Sequence, residues 1–214
     1  MAIWLNTTCH GLDSWAFGLC NSLNKVAGDF FTPICELCAL LGKGGWFFIV
    51  LGLVLLLFKK TRKAGVSMLL AMLVGLVLTN LTLKPLVSRE RPYLNPEYTG
   101  FWEQAGAHLE KSKSFPSGHT SVAMNSMLAF FLCSKNKKKS FWVFFVVAIM
   151  AFSRVYLTVH YLTDVLAGLI AGAIAGVAGY YLGKLIFSLF EKNSDKAFFK
   201  FVLNADILNL VKKK

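Results

Sequence analysis

Residues 46–63 read "WFFIVLGLVLLLFKKTRK". The apolar run stops at Lys59, Lys60, Arg62 and Lys63, and no polar face recurs inside it at helical spacing. A helix of this sequence is apolar on every side, which suits a bilayer better than the surface of a soluble domain. Extended back to about residue 40, the run gives a first span over 40–58. Further apolar runs at 64–83, 118–133, 141–158 and 162–187 give four more. Composition agrees, since 56% of the 214 residues are hydrophobic and mean hydropathy is +0.56.

Residues 12–36 are mixed. Trp15, Phe17, Leu19, Leu23, Val26 and Phe30 are apolar, while Asp13, Asn21, Lys25 and Asp29 interrupt them. The pattern fits an amphipathic helix lying in the membrane interface, the preferred reading, or an extra span packed on the others. No internal repeat or low-complexity linker divides the chain. The expected fold is therefore all-α, an integral-membrane helical bundle forming one domain over residues 1–214. It has five clear spans plus an N-terminal interfacial or sixth helix.

Lys and Arg number 23 against 11 Asp and Glu, a net charge of +12. No nucleic-acid motif accompanies this excess, so nucleic acid is not an expected partner. The basic residues mark loops instead. Lys59 to Lys63 fill one loop; Lys135, Lys137, Lys138 and Lys139 fill another. The tail carries Lys192, Lys196, Lys200 and Lys212 to Lys214. Alternating spans put all three on one side, which the positive-inside rule makes cytoplasmic. The N-terminus lacks a basic stretch followed by a sustained apolar run, so the first spans are expected to serve as the insertion signal. Five cysteines, Cys9, Cys20, Cys35, Cys38 and Cys133, cannot all pair internally. Cys35 and Cys38 have redox-motif spacing but lie in an apolar stretch, and read as ordinary buried cysteines.

The opposite side receives a loop from about Lys84 to Pro116 and a short turn around Thr158 to Tyr161. A connection as long as the first is often functional. Tyr93, Tyr98, Phe101 and Trp102 suit an interfacial position within it. Three outer thresholds carry ionisable residues. The first reads "KPLVSRERP" from Lys84 to Pro92, the second "PSGH" from Pro116 to His119, and the third "SRVYLTVHYLTD" from Ser153 to Asp164.

Their chemistry converges on a phosphate. Lys84, Arg91 and Arg154 can surround a phosphoryl group, with each Arg offering paired donors to its oxygens. Pro116 and Ser117 suit a helix start with Ser117 as cap. Gly118 lets backbone approach a ligand, and free N–H groups at the helix start point at an anion. Asp164 follows His160 by four residues, so on a helix the two share a face. An Asp placed there selects the imidazole tautomer and leaves one ring nitrogen free to attack phosphorus. His119 can protonate the leaving group. No metal or cofactor is required, because the cations supply the charge stabilisation.

Each position has a plainer reading. Lys and Arg at span ends often only snorkel to headgroups, and a lone buried His is often structural. The full set at one membrane face favours function. His10 and His108 belong to no such set. Arg89, Lys111 and Lys113 are offset by Glu90, Glu97, Glu103 and Glu110, so that loop is read as a mixed, solvated surface.

The three motifs resemble those of the type 2 phosphatidic acid phosphatase family, which shares its site with vanadium haloperoxidases. The match spans residues 84 to 164. The resemblance implies His160 as nucleophile, Asp164 as its partner and His119 as general acid, with phosphate bound by Lys84, Arg91, Ser117, Gly118 and Arg154. It also implies a bundle often described with six spans, from which the mixed segment 12–36 departs. The expected activity is hydrolysis of a lipid phosphate at the outer face of a bacterial plasma membrane. Polyprenyl diphosphate ranks first, followed by phosphatidylglycerol phosphate, phosphatidate and lipid A phosphates. Lipid phosphotransfer and non-catalytic lipid binding or transport are the alternatives, and an intact nucleophile argues against the last.

Overall fold

The computed structural model describes residues 1–208, which contain helices and no strand. Lys212 to Lys214 of the basic tail lie outside the described residues. In chain order the helices are α1 (Ala2–Thr8), α2 (His10–Gly42), α3 (Trp46–Leu56), α4 (Arg62–Gly75), α5 (Lys84–Val87) and α6 (Pro96–Gln104), followed by α7 (Gly118–Cys133), α8 (Lys137–Ser140), α9 (Val143–Tyr156), α10 (Leu162–Lys192) and α11 (Ala197–Asn204). A π-helix over Leu76–Leu83 joins α4 to α5. Among the described residues four stretches, not the expected five, are long and apolar enough to cross a membrane: His10–Leu56, Arg62–Leu94, Lys137–Tyr156 and Leu162–Lys192. The run at 118–133 is α7, whose 16 residues measure about 24 Å.

Two expectations at the N-terminal side need correction. The proposed span 40–58 is not one helix, because the chain breaks at Lys43–Gly45. Gly44 and Gly45 there adopt φ of 62° and 71°, left-handed values that glycine reaches without steric penalty. The segment 12–36 belongs to a longer helix, α2, which is bent. Ala27 leaves helical geometry, and Asn24 Nδ2 donates to Thr32 Oγ1 at 3.4 Å. Eight residues of straight helix rise about 12 Å, more than these two short side chains bridge. The two halves therefore fold toward each other around Tyr156, whose hydroxyl lies 2.8 Å from Asn24 Nδ2 and 2.9 Å from Thr32 Oγ1. The outer connection contains the helix α6. Asn95 caps α6, its side chain accepting from Glu97 N–H, with Pro96 in the first turn.

The bundle centre is built on close backbone approach. On α10, Gly168, Gly172 and Gly176 recur every four residues and face α7. A Cβ added at Gly168 would sit 2.7 Å from the Ser117 carbonyl oxygen, and one at Gly172 2.7 Å from that of Ser121. Gly179 and Gly183 make the same kind of approach to α4, at Ala71 and Ser67. Small residues at this spacing let membrane helices pack backbone to backbone.

As far as they are described, the three basic segments meet at one end of the bundle. Lys59 Nζ donates to Asn204 Oδ1 at 2.9 Å, and Cys133 Sγ lies 3.8 Å from the Lys63 carbonyl oxygen. The first turns of α7 and α10 occupy the opposite end, where the Ser117 N–H donates to the Asp164 carbonyl at 3.0 Å.

Gly172→Ala places a methyl group against backbone that cannot move aside. It is expected to lower stability by about 1–3 kcal/mol. Gly18→Ala on α2 meets nothing within 4 Å and is expected to be neutral or slightly stabilising. Thermal unfolding of both variants in detergent checks the contrast.

Candidate active site

Of the residues singled out at the three thresholds, Lys84, Arg91, Gly118, His119 and His160 line one cavity; Ser117, Arg154 and Asp164 do not line it, Asp164 lying 3.6 Å from His160 and Ser117 capping the helix that starts at Gly118. The cavity has a volume of about 560 Å³ and is lined at one end by Lys84, Arg91, Ser112, Gly118, His119 and His160. Ile49, Leu69, Leu73, Leu76 and Val122 line it elsewhere. It is therefore amphipathic, with a charged part and an apolar part.

His160 sits in the turn between α9 and α10 and is 1% exposed. Its N–H donates to the Arg154 carbonyl at 3.2 Å. Nε2 faces Arg91 Nη1 at 2.9 Å. Arginine only donates, so Nε2 carries a lone pair and the proton resides on Nδ1. Nδ1 lies 3.4 Å from Ser114 Oγ and 3.6 Å from Asp164 Oδ2. The Ser114 hydroxyl donates to that same carboxylate oxygen. Burial first, then the charges of Arg91, Lys84 and Arg154, hold the His160 pKa well below the ordinary histidine value. The ring is neutral at about pH 7.

Asp164 does two jobs at the start of α10. Oδ2 accepts the Tyr161 N–H at 3.1 Å, in the manner of a capping box. Oδ1 accepts from Arg89 Nη1 at 2.8 Å. Helix capping and the motif spacing thus place one carboxylate at one point.

The cations are held by oxygens. Arg91 donates to the carbonyls of Ser112 and Val159, both at 2.8 Å, and Lys84 Nζ to Ser112 Oγ at 3.2 Å. Arg154 is fully buried and donates to Ser153 Oγ at 3.0 Å and the Cys35 carbonyl at 3.3 Å. Its Nη1 has no hydrogen-bond partner; the nearest carboxylate oxygen, on Glu110, is 3.8 Å away. A buried guanidinium nitrogen left in that state is a donor awaiting an oxygen. His119 Nε2 lies 3.1 Å from the Ala39 carbonyl oxygen. Ser117 caps α7, its side chain accepting the Thr120 N–H. A Cβ at Gly118 would lie 3.6 Å from Lys84 Nζ.

Several residues around the site escaped the sequence reading. Arg89 is not on a solvated surface. It is 0% exposed and lies between Asp13 and Asp164 at 2.9 and 2.8 Å. Asp13, read only as a polar interruption, is 1% exposed. An acid within an apolar segment was the available signal, since a buried carboxylate requires a partner. Ser112, Ser114 and Glu110 come from the outer loop, which carries too many polar residues to single them out. His10 keeps its plainer reading, pairing with Glu97 at the exposed surface at 3.0 Å. The cysteines are free: Cys20 and Cys35 are buried, and the other three are intermediate.

Residues 61–187 match the family model described as the PAP2 superfamily. That is more than half of the chain, and the chain belongs to this superfamily. It is 28% identical over 130 residues to the lipid A 4'-phosphatase of Porphyromonas gingivalis, covering 58% of this chain and 55% of that one. It is 31% identical over 121 residues to the undecaprenyl-diphosphatase of Sulfolobus acidocaldarius, covering 53% and 52% respectively. The chain thus spans about half the length of these curated relatives. A crystal structure of a transmembrane PAP2-type phosphatidylglycerolphosphate phosphatase from Bacillus subtilis superposes with a TM-score of 0.65, at 23% identity, over 86% of this chain and 93% of that one. That likeness establishes the fold.

An oxyanion is expected to bind here and stabilise the folded state, by about 2.7 kcal/mol at a concentration a hundred times its Kd. Thermal unfolding with and without orthovanadate reads this directly. Arg154→Met should abolish most of the stabilisation.

Proposed function

We propose that the protein hydrolyses a lipid phosphomonoester or diphosphate through a phosphohistidine. The observation that carries this reading is His160 itself. Its ring lines the cavity beside Lys84 and Arg91, its Nε2 lone pair is met by Arg91 Nη1 at 2.9 Å, and its other nitrogen is turned toward Asp164.

In the first half-reaction Nε2 attacks phosphorus, a P–N bond forms and the bond to the leaving oxygen breaks. His119 gives that oxygen its proton. Asp164 stabilises the positive charge that develops on the ring. Lys84, Arg91, Arg154 and the N–H groups at Gly118 bind the phosphoryl oxygens as charge builds on them, with Ser117 holding that helix start in shape. Water then attacks phosphorus while His119 takes its proton, the P–N bond breaks with its electron pair returning to His160 Nε2, and phosphate leaves. These groups supply the electrostatic stabilisation that a divalent ion provides in other phosphatases, so the mechanism is metal-independent.

The apolar part of the cavity fits the tail of a lipid. Polyprenyl diphosphate is the favoured substrate, a choice resting on family resemblance and in keeping with one relative's name. Phosphatidylglycerol phosphate, phosphatidate and lipid A phosphates follow. The chain acts as a single membrane phosphatase domain with α7 as a fifth span, in a bacterial plasma membrane. The three basic segments face the cytoplasm, and the site opens on the outer side.

Purified protein is expected to release inorganic phosphate from one or more members of a lipid-phosphate panel. Activity should persist in excess EDTA and fall on addition of vanadate. His160→Ala should remove turnover without unfolding the protein. Asp164→Asn should lower kcat by up to about 10⁴-fold and leave a residue of activity. Normal turnover by a folded His160→Ala protein refutes the mechanism.

Topology has its own check. In a background without native cysteines, Glu97→Cys should react with a membrane-impermeant thiol reagent in intact cells, and Asn136→Cys should not. The reverse labelling pattern overturns the orientation.

A further inference from the structure

Arg89 carries more interactions than a structural ion pair needs. Nη1 donates to Asp164 Oδ1 at 2.8 Å and to Thr163 Oγ1 at 2.7 Å. Nη2 donates to Asp13 Oδ2 at 2.9 Å, and Nε to Asn6 Oδ1 at 2.7 Å. The guanidinium lies 3.6 Å from the centre of the Tyr161 ring, a cation–π arrangement. Asp13 is tied in turn to the first turn of α10, accepting the Thr163 N–H at 3.0 Å. Arg89, Asp13 and Asp164 are each at most 1% exposed.

The two oxygens of Asp164 are thereby divided. Oδ1 belongs to Arg89, and Oδ2 turns toward His160 Nδ1 and the Ser114 hydroxyl. Ser114 is held in the same unit, because its N–H donates to the Arg89 carbonyl at 2.8 Å. One residue thus orients the carboxylate and the hydroxyl that face the nucleophile. Asn6 and Asp13, which orient Arg89, lie on α1 and α2, before the start of the family match at residue 61.

We infer that Arg89 is a positioning residue for the His160–Asp164 pair, and that the N-terminal segment completes the active site through Asp13. This rests on the reading of His160 as nucleophile. Arg89 sets the direction of Asp164 Oδ2, and its charge, partly balanced by Asp13, adds to the potential that Arg91, Lys84 and Arg154 create at the imidazole. A bare stabilising triad would predict loss of folded protein. A positioning role predicts a change in the chemistry of folded protein.

The two charges of the triad act on His160 with opposite sign. Removing the cation favours protonated imidazole, and removing the distal anion disfavours it. The other charged and titratable groups around the pair are Arg91, Lys84, Arg154, Glu110, His119, Tyr161 and Tyr98. They stay unchanged in the variants, so they do not cancel the difference.

The experiment measures kcat and KM against pH for detergent-solubilised full-length protein, with farnesyl diphosphate and dioleoyl phosphatidate as substrates. The acid limb of kcat/KM reports the free enzyme. Arg89→Gln should move that limb up by about one pH unit. It should lower kcat roughly tenfold to a hundredfold, with KM nearly constant. Asp13→Asn keeps an acceptor for Arg89 and should move the limb down by a smaller amount. Arg89→Lys keeps the charge but not the fork, so kcat should fall with the limb near its wild-type position. Opposite shifts in Arg89→Gln and Asp13→Asn sustain the inference. Limbs that stay put, or shift together, overturn it. If Arg89→Gln does not fold, Asp13→Asn decides alone: a downward shift sustains the role and an unmoved limb overturns it. A wild-type protein that releases no phosphate, or a His160→Ala protein that releases it normally, refutes the nucleophile assignment instead.

Discussion

The backbone contact between the first turns of α7 and α10 is the constraint on which the site depends. Ser117 N–H reaches the Asp164 carbonyl at 3.0 Å, and this is possible because α10 presents glycine to α7 at Gly168 and Gly172. In a membrane no hydrophobic force pulls helices together, so close packing of small residues has to do it. The same contact ties the helix start bearing His119 to the turn bearing His160 and to Asp164. Two motifs separated by a whole span and its return are thereby brought to a single position.

Around that clasp the difficulty is electrostatic. Arg89, Arg91 and Arg154 are buried, as are Asp13 and Asp164. Charges removed from water must find partners, since the desolvation penalty otherwise exceeds any gain. The partners divide into two groups. Arg89 has a partner at each of its three nitrogens, among two carboxylates, Asn6 and Thr163. Arg154 keeps one nitrogen without a hydrogen bond. The first arrangement holds geometry. The second leaves a guanidinium nitrogen without an acceptor, and the contrast distinguishes two arginines of the same buried cluster.

The long helix α2 packs against the candidate site from outside the three motifs. Its carbonyls at Cys35 and Ala39 lie against Arg154 and His119, and Asp13 holds Arg89. None of this follows from the pattern of residues 12–36. The bend falls at Ala27, directly before Gly28 and six residues before Pro33. It goes with the Tyr156 hydroxyl, which gathers Asn24 and Thr32, a contact made across more than a hundred residues of chain.

What the amino-acid order alone determined is whatever depends on local spacing or on bulk polarity. The apolar runs required a helical membrane bundle and the lysine runs required a common end. The four-residue step from His160 to Asp164 suggested a shared helix face, but His160 lies in the turn before α10 and meets Asp164 because that carboxylate folds back to cap the helix start. Lys84, Arg91, His119 and Arg154 were legible because each lies inside a short motif at a span end. Arg89 lies between two of these residues and was misread, because its acidic partners are 75 and 76 positions away. Its neighbours in sequence, Glu90 among them, suggested a neutralised surface. Only the tertiary structure decided which charges are desolvated together, since burial is a property of packed helices and not of any stretch of chain.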